Sequence, residues 1–299
     1  MKKRLLFLIV QLLYIIPLWA QINPKVPDNV GNVLILAGKN REELAEVISH
    51  YSSKPNDSLK LKAAYFLIGN MDTHYSRDYY WKDSLGNRIS YRELDYDSLE
   101  EANKAFKDIS LKYGKLSPVS FTYKDIDTIK ADFLIDNIER AFSAWRGKEL
   151  TDASTFKLFC EYVLPYRITT EPLQSWRDTY LKRFSWVADS LNHNISNDAI
   201  NNTARILYKL FVNTFGFEEK KKPLPRYGAM QLFQLQKGAC EDIADFKVFA
   251  LRSQGIPATV ENIPYWATSS GKHFFTGINI NGPQFTAAEA SDLEREPAK

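Results

Sequence analysis

Residues 238–263 read GACEDIADFKVFALRSQGIPATVENI, and this stretch decides the fold. Between Glu241 and Ser253, the residues Ile243, Ala244, Phe246, Val248, Phe249, Ala250 and Leu251 form a helix apolar on most sides. Such a helix is buried. Gly255 supplies a left-handed cap and Pro257 prevents the helix from continuing. Ala258–Ile263 then reads as a β-strand. His273–Ile280 reads as a second, followed by the hairpin signal Asn281-Gly282. A helix followed by antiparallel strands is an α+β unit.

Cys240 sits in the first turn of this helix. A positive helix terminus there is expected to favour a thiolate. Glu241 and Asp242 favour the helix start but oppose the thiolate, so a base must share the activation. His273 is the one histidine downstream. A helix-borne cysteine, a strand-borne histidine and a polar residue on the next strand suit acyl transfer through a thiol. Gly238 allows close approach of the backbone just before the nucleophile. Two plainer readings of Cys240 exist, an inert core thiol and a disulfide with Cys160. Cys160 lies on the apolar run Phe156, Leu158, Phe159 and reads as a core thiol. Gln234 is a candidate amide donor to an oxyanion hole beside the Cys240 backbone N–H. Its plainer reading is an exposed polar residue of a short helix, Ala229–Leu235.

Working outward, the chain of 299 residues has room for one large or two ordinary domains. It begins MKKRLLFLIVQLLYIIPLWAQ: a basic start, an apolar run and a small residue at Ala20. That is the pattern of a secretory signal peptide over residues 1–20, and it implies a secreted or periplasmic protein. A membrane would be met only through an uncleaved leader. The leader holds three of the 39 basic residues and no acid, which leaves 36 against 36 acidic ones. A neutral chain gives no electrostatic footprint for nucleic acid. With two cysteines and four scattered histidines, no metal site or cofactor is expected.

Residues 21–215 read as mainly helical. Helices are expected from about Asn40, from Asp57-Ser58, over Ser98–Leu111 with Ser98 as cap, and over Asp125–Trp145. More follow from Ser154 to Pro165, over Thr179–Leu191 and over Ala199–Val212. Residues 72–97 are aromatic and polar without a period and read as a long packed loop. The core is placed at 216–299.

The blocks Gly238-Ala239-Cys240-Glu241-Asp242, Leu251-Arg252-Ser253-Gln254-Gly255-Ile256-Pro257-Ala258 and His273 resemble the transglutaminase-like core, of the papain-like cysteine-hydrolase superfamily. The likeness covers about residues 227–292. The segments Cys160–Arg167, Glu171–Leu173 and Trp176-Arg177 look like the leading region of secreted transglutaminase-like proteins from Bacteroidetes. The family often carries a Trp just after the histidine, where this chain has Phe274 and Phe275. The resemblance implies a Cys240–His273 thiol site acting on an amide of a peptide, a protein or a peptidoglycan-like chain. Hydrolysis is favoured over crosslinking, because nothing specifies an amine acceptor. Papain-like cores usually carry further strands, so the core is expected to be truncated at the C-terminus.

The third catalytic group depends on strand register. A two-residue turn would pair Ile280 with Pro283 and place Asp292 on the His273 face. A three-residue loop would pair Ile280 with Gln284 and place Glu289 there instead. Pro283 cannot donate a ladder bond, which speaks against the tighter turn. Matching Phe285 and Ala287 to the apolar face favours the two-residue turn, while the spacing in similar transglutaminase-like sequences favours Glu289, which is taken first with Asp292 as the runner-up. Tyr166, Arg167 and Trp176, with Glu171 and Arg177, either line a substrate groove or brace the helical region against the core. The competing function is a non-catalytic module that meets a peptide or glycan through the aromatic stretch Tyr75–Tyr96.

Overall fold

The computed structural model describes residues 26–145, 150, 152–192, 214–219, 224–265, 272–279 and 286–287. The expected leader and the expected helix Ala199–Val212 lie outside them. Helices α1 (Asp28–Leu36), α2 (Arg41–Ser52), α3 (Ser58–Gly69), α6 (Ala131–Ala144) and α7 (Ala153–Tyr162) build the helical region. Their apolar stripes close on Leu44, Val47, Ile68, Leu134, Ile138 and Phe159, all fully buried. The expected helix Asp125–Trp145 is two pieces, the single turn α5 (Asp125–Thr128) and α6, broken at Ile129-Lys130. Ser98 caps α4 (Leu99–Tyr113) as expected, its hydroxyl accepting the Glu101 N–H at 3.2 Å.

The stretch read as a packed loop is instead largely sheet. β1 (Tyr75–Lys82) lies between β2 (Arg88–Ile89) and β3 (Ser117–Lys124) in an antiparallel sheet, with Tyr75 opposite Lys124 and Lys82 opposite Ser117. Trp81, Ile89, Tyr91 and Leu116 form a small second core, packed against Phe106 of α4.

The C-terminal unit follows the expected order. α8 (Arg177–Asn192) precedes β4 (Gly216–Phe217), α9 (Ala229–Leu235), β5 (Lys237–Gly238), α10 (Cys240–Ser253), β6 (Ala258–Ile263), β7 (His273–Ile278) and β8 (Thr286–Ala287). β6, β7 and β8 form an antiparallel sheet in that order. Helix α10 packs on this sheet and on α8, burying Phe246, Val248, Phe249, Ala250 and Leu251. Its C-terminus is a Schellman motif. The Ile256 N–H donates to Leu251 O at 3.0 Å and the Gly255 N–H to Arg252 O at 3.1 Å. Gly255 has φ +74°, and a Cβ there would run into the carbonyl of Ala144 at the end of α6. The glycine thus ends α10 and seats it on the helical region. The architecture is α+β.

Candidate active site

The Cys240 turn is built by its neighbours. Asp242 folds back so that its carboxylate accepts the Ala239 N–H at 2.9 Å, closing the start of α10. A Cβ on Gly238 would stand 2.5 Å from the Asp242 Cβ, so the bare glycine makes room for this capping acid. The Glu241 carboxylate lies 3.9 Å from Lys272 Nζ. Both acids of the first turn therefore have engagements of their own. Cys240 is half-buried, and both cysteines are free thiols. Cys160 is buried in the helical core, where burial pushes its thiol up to about 12. The disulfide alternative is not formed.

β7 runs alongside α10. Thr276 Oγ1 donates to Ala244 O at 3.4 Å, and Lys272 meets Glu241 one turn earlier. The first residue of β7, His273, therefore stands level with the first turn of α10. Phe274, Thr276 and Ile278 form the buried face of the strand. His273 alternates to the other face with Phe275, their rings near parallel and 6.4 Å apart. The start of β7 is thus level with the Cys240 turn, while the His273 ring is carried on the face of the strand turned away from α10. Glu261, opposite Phe275 on β6, shares the His273 face. Its carboxylate leans over Gly277, away from His273, in space that a Cβ would fill.

The described pairs of β7 and β8 have the register expected with Ile280 opposite Gln284. Gly277 pairs with Ala287 and Ile278 with Thr286. Ala287 thus faces a residue of the His273 set. Glu289 has the parity of Ala287 and Asp292 does not, although both lie outside the described residues.

The other expected substrate-binding residues lie elsewhere. Gln234 Nε2 donates to Tyr96 O at 3.0 Å, tying α9 to the segment before α4. Tyr166, Arg167 and Trp176 are buried and form the brace, not a groove wall. Arg167 grips Asp125 with two bonds, Nε to Oδ2 at 2.7 Å and Nη2 to Oδ1 at 2.6 Å. The Tyr166 hydroxyl donates to the same carboxylate at 3.0 Å. Trp176 Nε1 donates to Tyr166 O at 3.0 Å, and its ring packs 4.8 Å from that of Phe249 on α10. Arg177 donates to the carbonyls of Val163, Leu164 and Pro165 just beyond α7. Burial lowers it to about 9.

One structural pair was missed by the sequence reading. Arg226 Nη1 donates to Asp245 Oδ2 at 2.7 Å and to Glu241 O at 3.2 Å, and its guanidinium lies 4.7 Å from the Phe274 ring centre. It clasps the approach to α9 onto both α10 and β7. The available signal was an acid, Asp245, inside a helix buried on all sides, which demands a cation.

A free thiol in the first turn of a buried helix, packed on an antiparallel sheet whose strand β7 begins with a histidine, makes up an α+β unit. Residues 185–290 match the family model of the transglutaminase-like superfamily, so this segment carries a transglutaminase-like domain. The match begins inside α8, earlier than the boundary at 216 expected from sequence. No curated protein and no solved structure matches the chain.

Proposed function

We propose that the chain is an exported thiol enzyme in which Cys240 attacks the carbonyl carbon of an amide or peptide bond. The carbon–sulfur bond forms, the Cys240 proton passes to His273, and the carbon–nitrogen bond breaks as His273 returns that proton to the leaving amine. Water then gives a proton to His273 and attacks the thioester. The acid leaves, and the restored thiol takes the proton back. The backbone N–H of Cys240, at the helix start, is the candidate donor to the oxyanion. Glu289 is the group proposed to orient His273, because it shares parity with Ala287 in the described register.

The observation that carries this reading is the alignment of β7 with α10, fixed by Lys272–Glu241 and Thr276–Ala244. It brings the start of β7 level with the first turn of α10, and the reading requires the His273 side chain to reach the thiol around the end of the strand. Hydrolysis is preferred to transfer because no residue set marks an amine acceptor site. The substrate class proposed is a peptide, a protein or a peptidoglycan-like chain outside the cytoplasm, in keeping with the leader at residues 1–20.

The test is incubation with tryptic casein peptides and a fluorescent primary amine. New α-amino groups report hydrolysis, and amine incorporation reports transfer. Either product, lost in Cys240→Ser and in His273→Ala, supports the proposal. Neither product, or a product that survives Cys240→Ser, contradicts it.

A further inference from the structure

A groove of about 730 Å³ opens on the face of the β1–β3 sheet, walled by the segment after β2 and by Pro172–Gln174. Directly opposed residues of antiparallel strands share a face. Asp78 opposes Phe121, Tyr80 opposes Val119 and Ser76 opposes Tyr123. Tyr80, Phe121 and Tyr123 therefore stand in one row on the groove side. The Tyr80 and Phe121 ring centres are 6.1 Å apart and those of Phe121 and Tyr123 are 6.0 Å apart. Two cations lie by the Tyr80 ring, the Arg88 guanidinium 4.5 Å and Lys82 Nζ 5.7 Å from its centre. Phe121 is 39% exposed, a large apolar ring kept open to solvent.

The polar lining is balanced. Asp78 and Glu93 line the groove together with Arg88 and Arg92. A strongly charged ligand would meet as many like charges as opposite ones. A neutral ligand with donors and acceptors around its rim, and apolar patches at regular spacing, would satisfy both the charges and the rings. A pyranose chain has this form: each ring has a C–H face for stacking and an edge of hydroxyls. The row spacing is close to the advance of one sugar ring along a β-linked chain. An extended peptide fits less well. Strand addition takes place at a sheet edge, through main-chain hydrogen bonds. This groove is lined by the face that carries Tyr80, Phe121 and Tyr123 and, round the β1 edge, by Tyr79 and Ile89 of the opposite face, so its surface is made mainly of side chains.

We infer that the Tyr80–Phe121–Tyr123 groove is a binding site for a neutral β-linked glycan chain. The site is separate from the Cys240 turn and does not depend on the thiol chemistry. It meets α9 of the C-terminal unit through Gln231, whose Nε2 lies 3.4 Å from the Tyr79 hydroxyl, and through Gln174, whose Oε1 accepts the Met230 N–H at 2.7 Å.

The experiment is titration calorimetry of the full chain with chitohexaose and with cellohexaose, which differ in acetamido groups, and with tryptic casein peptides. Saturable binding of either sugar is expected. It should weaken at least tenfold in Phe121→Ala, whose exposed side chain can be removed without opening a core, and remain unchanged in Cys240→Ser. A folded Phe121→Ala variant is verified by its unchanged melting temperature. If that variant melts early, Tyr123→Leu serves as the second test, with the same expected loss. Binding of neither sugar overturns the inference. So does sugar binding indifferent to both substitutions. Casein-peptide binding that is lost in Phe121→Ala, without sugar binding, would assign the groove to peptides.

Discussion

Lys272 Nζ lies 3.9 Å from Glu241 Oε2, so the residue before His273 is tied to the residue after Cys240. Lys272 is 65% exposed and Glu241 21% exposed at the side chain, so this pair contributes little to stability. Its value is positional. It reports that the strand bearing the histidine begins where the helix bearing the thiol begins. The buried contacts deeper in the unit, Thr276 to Ala244 and Arg226 to Asp245, hold that alignment.

The register separates the two candidate acids. Glu289→Gln should reduce thiol reactivity or turnover about 10-fold to 100-fold, by releasing the orientation of His273. Asp292→Asn should leave it within about twofold. Rates measured on both purified variants decide the point, and the reverse ranking would assign the orienting role to Asp292.

Gly255 serves two ends with one missing side chain. An alanine there would have to adopt φ +74° and meet the Ala144 carbonyl. Gly255→Ala should cost at least about 2 kcal/mol in urea unfolding. A loss under about 0.5 kcal/mol would show that the α10–α6 contact yields easily.

The Arg167–Asp125 pair is a brace, so its loss should affect stability and not chemistry. Asp125→Ala leaves a guanidinium buried without its carboxylate and should cost about 3–5 kcal/mol. The folded fraction should keep its Cys240 alkylation rate. A variant of normal stability with altered substrate affinity would restore the groove reading of Tyr166, Arg167 and Trp176.

Asp245 gives a pH dependence. Burial pushes it up to about 8, against the pull of Arg226 and with a push from Glu171 and Asp242. An unfolded aspartate ionises near pH 4. Between those values the native state holds the extra proton, so stability falls as pH rises through about 4 to 8. The Asp245→Asn variant should show a smaller fall in melting temperature than the parent between about pH 5 and pH 8. Parallel curves would mean that Asp245 is already ionised in the folded chain at the lower pH.

Much of the C-terminal unit was legible because its signals are local. The apolar run in α10, Gly255 and Pro257 set the helix and its stop. Alternation set the two faces of β7. The β1–β3 sheet was not legible, because neither strand shows a clean period. Ser76 turns inward to Arg167 Nη2 at 2.7 Å and Trp81 packs toward Phe106, while most of β3 is open to solvent. Long polar pairs were equally hidden. Arg167 was among the residues read as a groove wall or a brace, but its partner Asp125, 42 residues away, was not legible. Gly238 was read as allowing close backbone approach before the nucleophile, whereas its missing side chain makes room for the capping Asp242.

The central claim is that Cys240 is an activated nucleophile with His273 as its partner. The most direct measurement is the rate of iodoacetamide labelling at each cysteine of the folded protein against pH, read by peptide mass spectrometry. Cys160, buried and pushed up to about 12, is the internal control. The account predicts labelling of Cys240 near neutral pH at least about 100-fold faster than Cys160, with a clear drop for Cys240 in His273→Ala. Equal rates at the two cysteines, or a Cys240 rate untouched by His273→Ala, would contradict it.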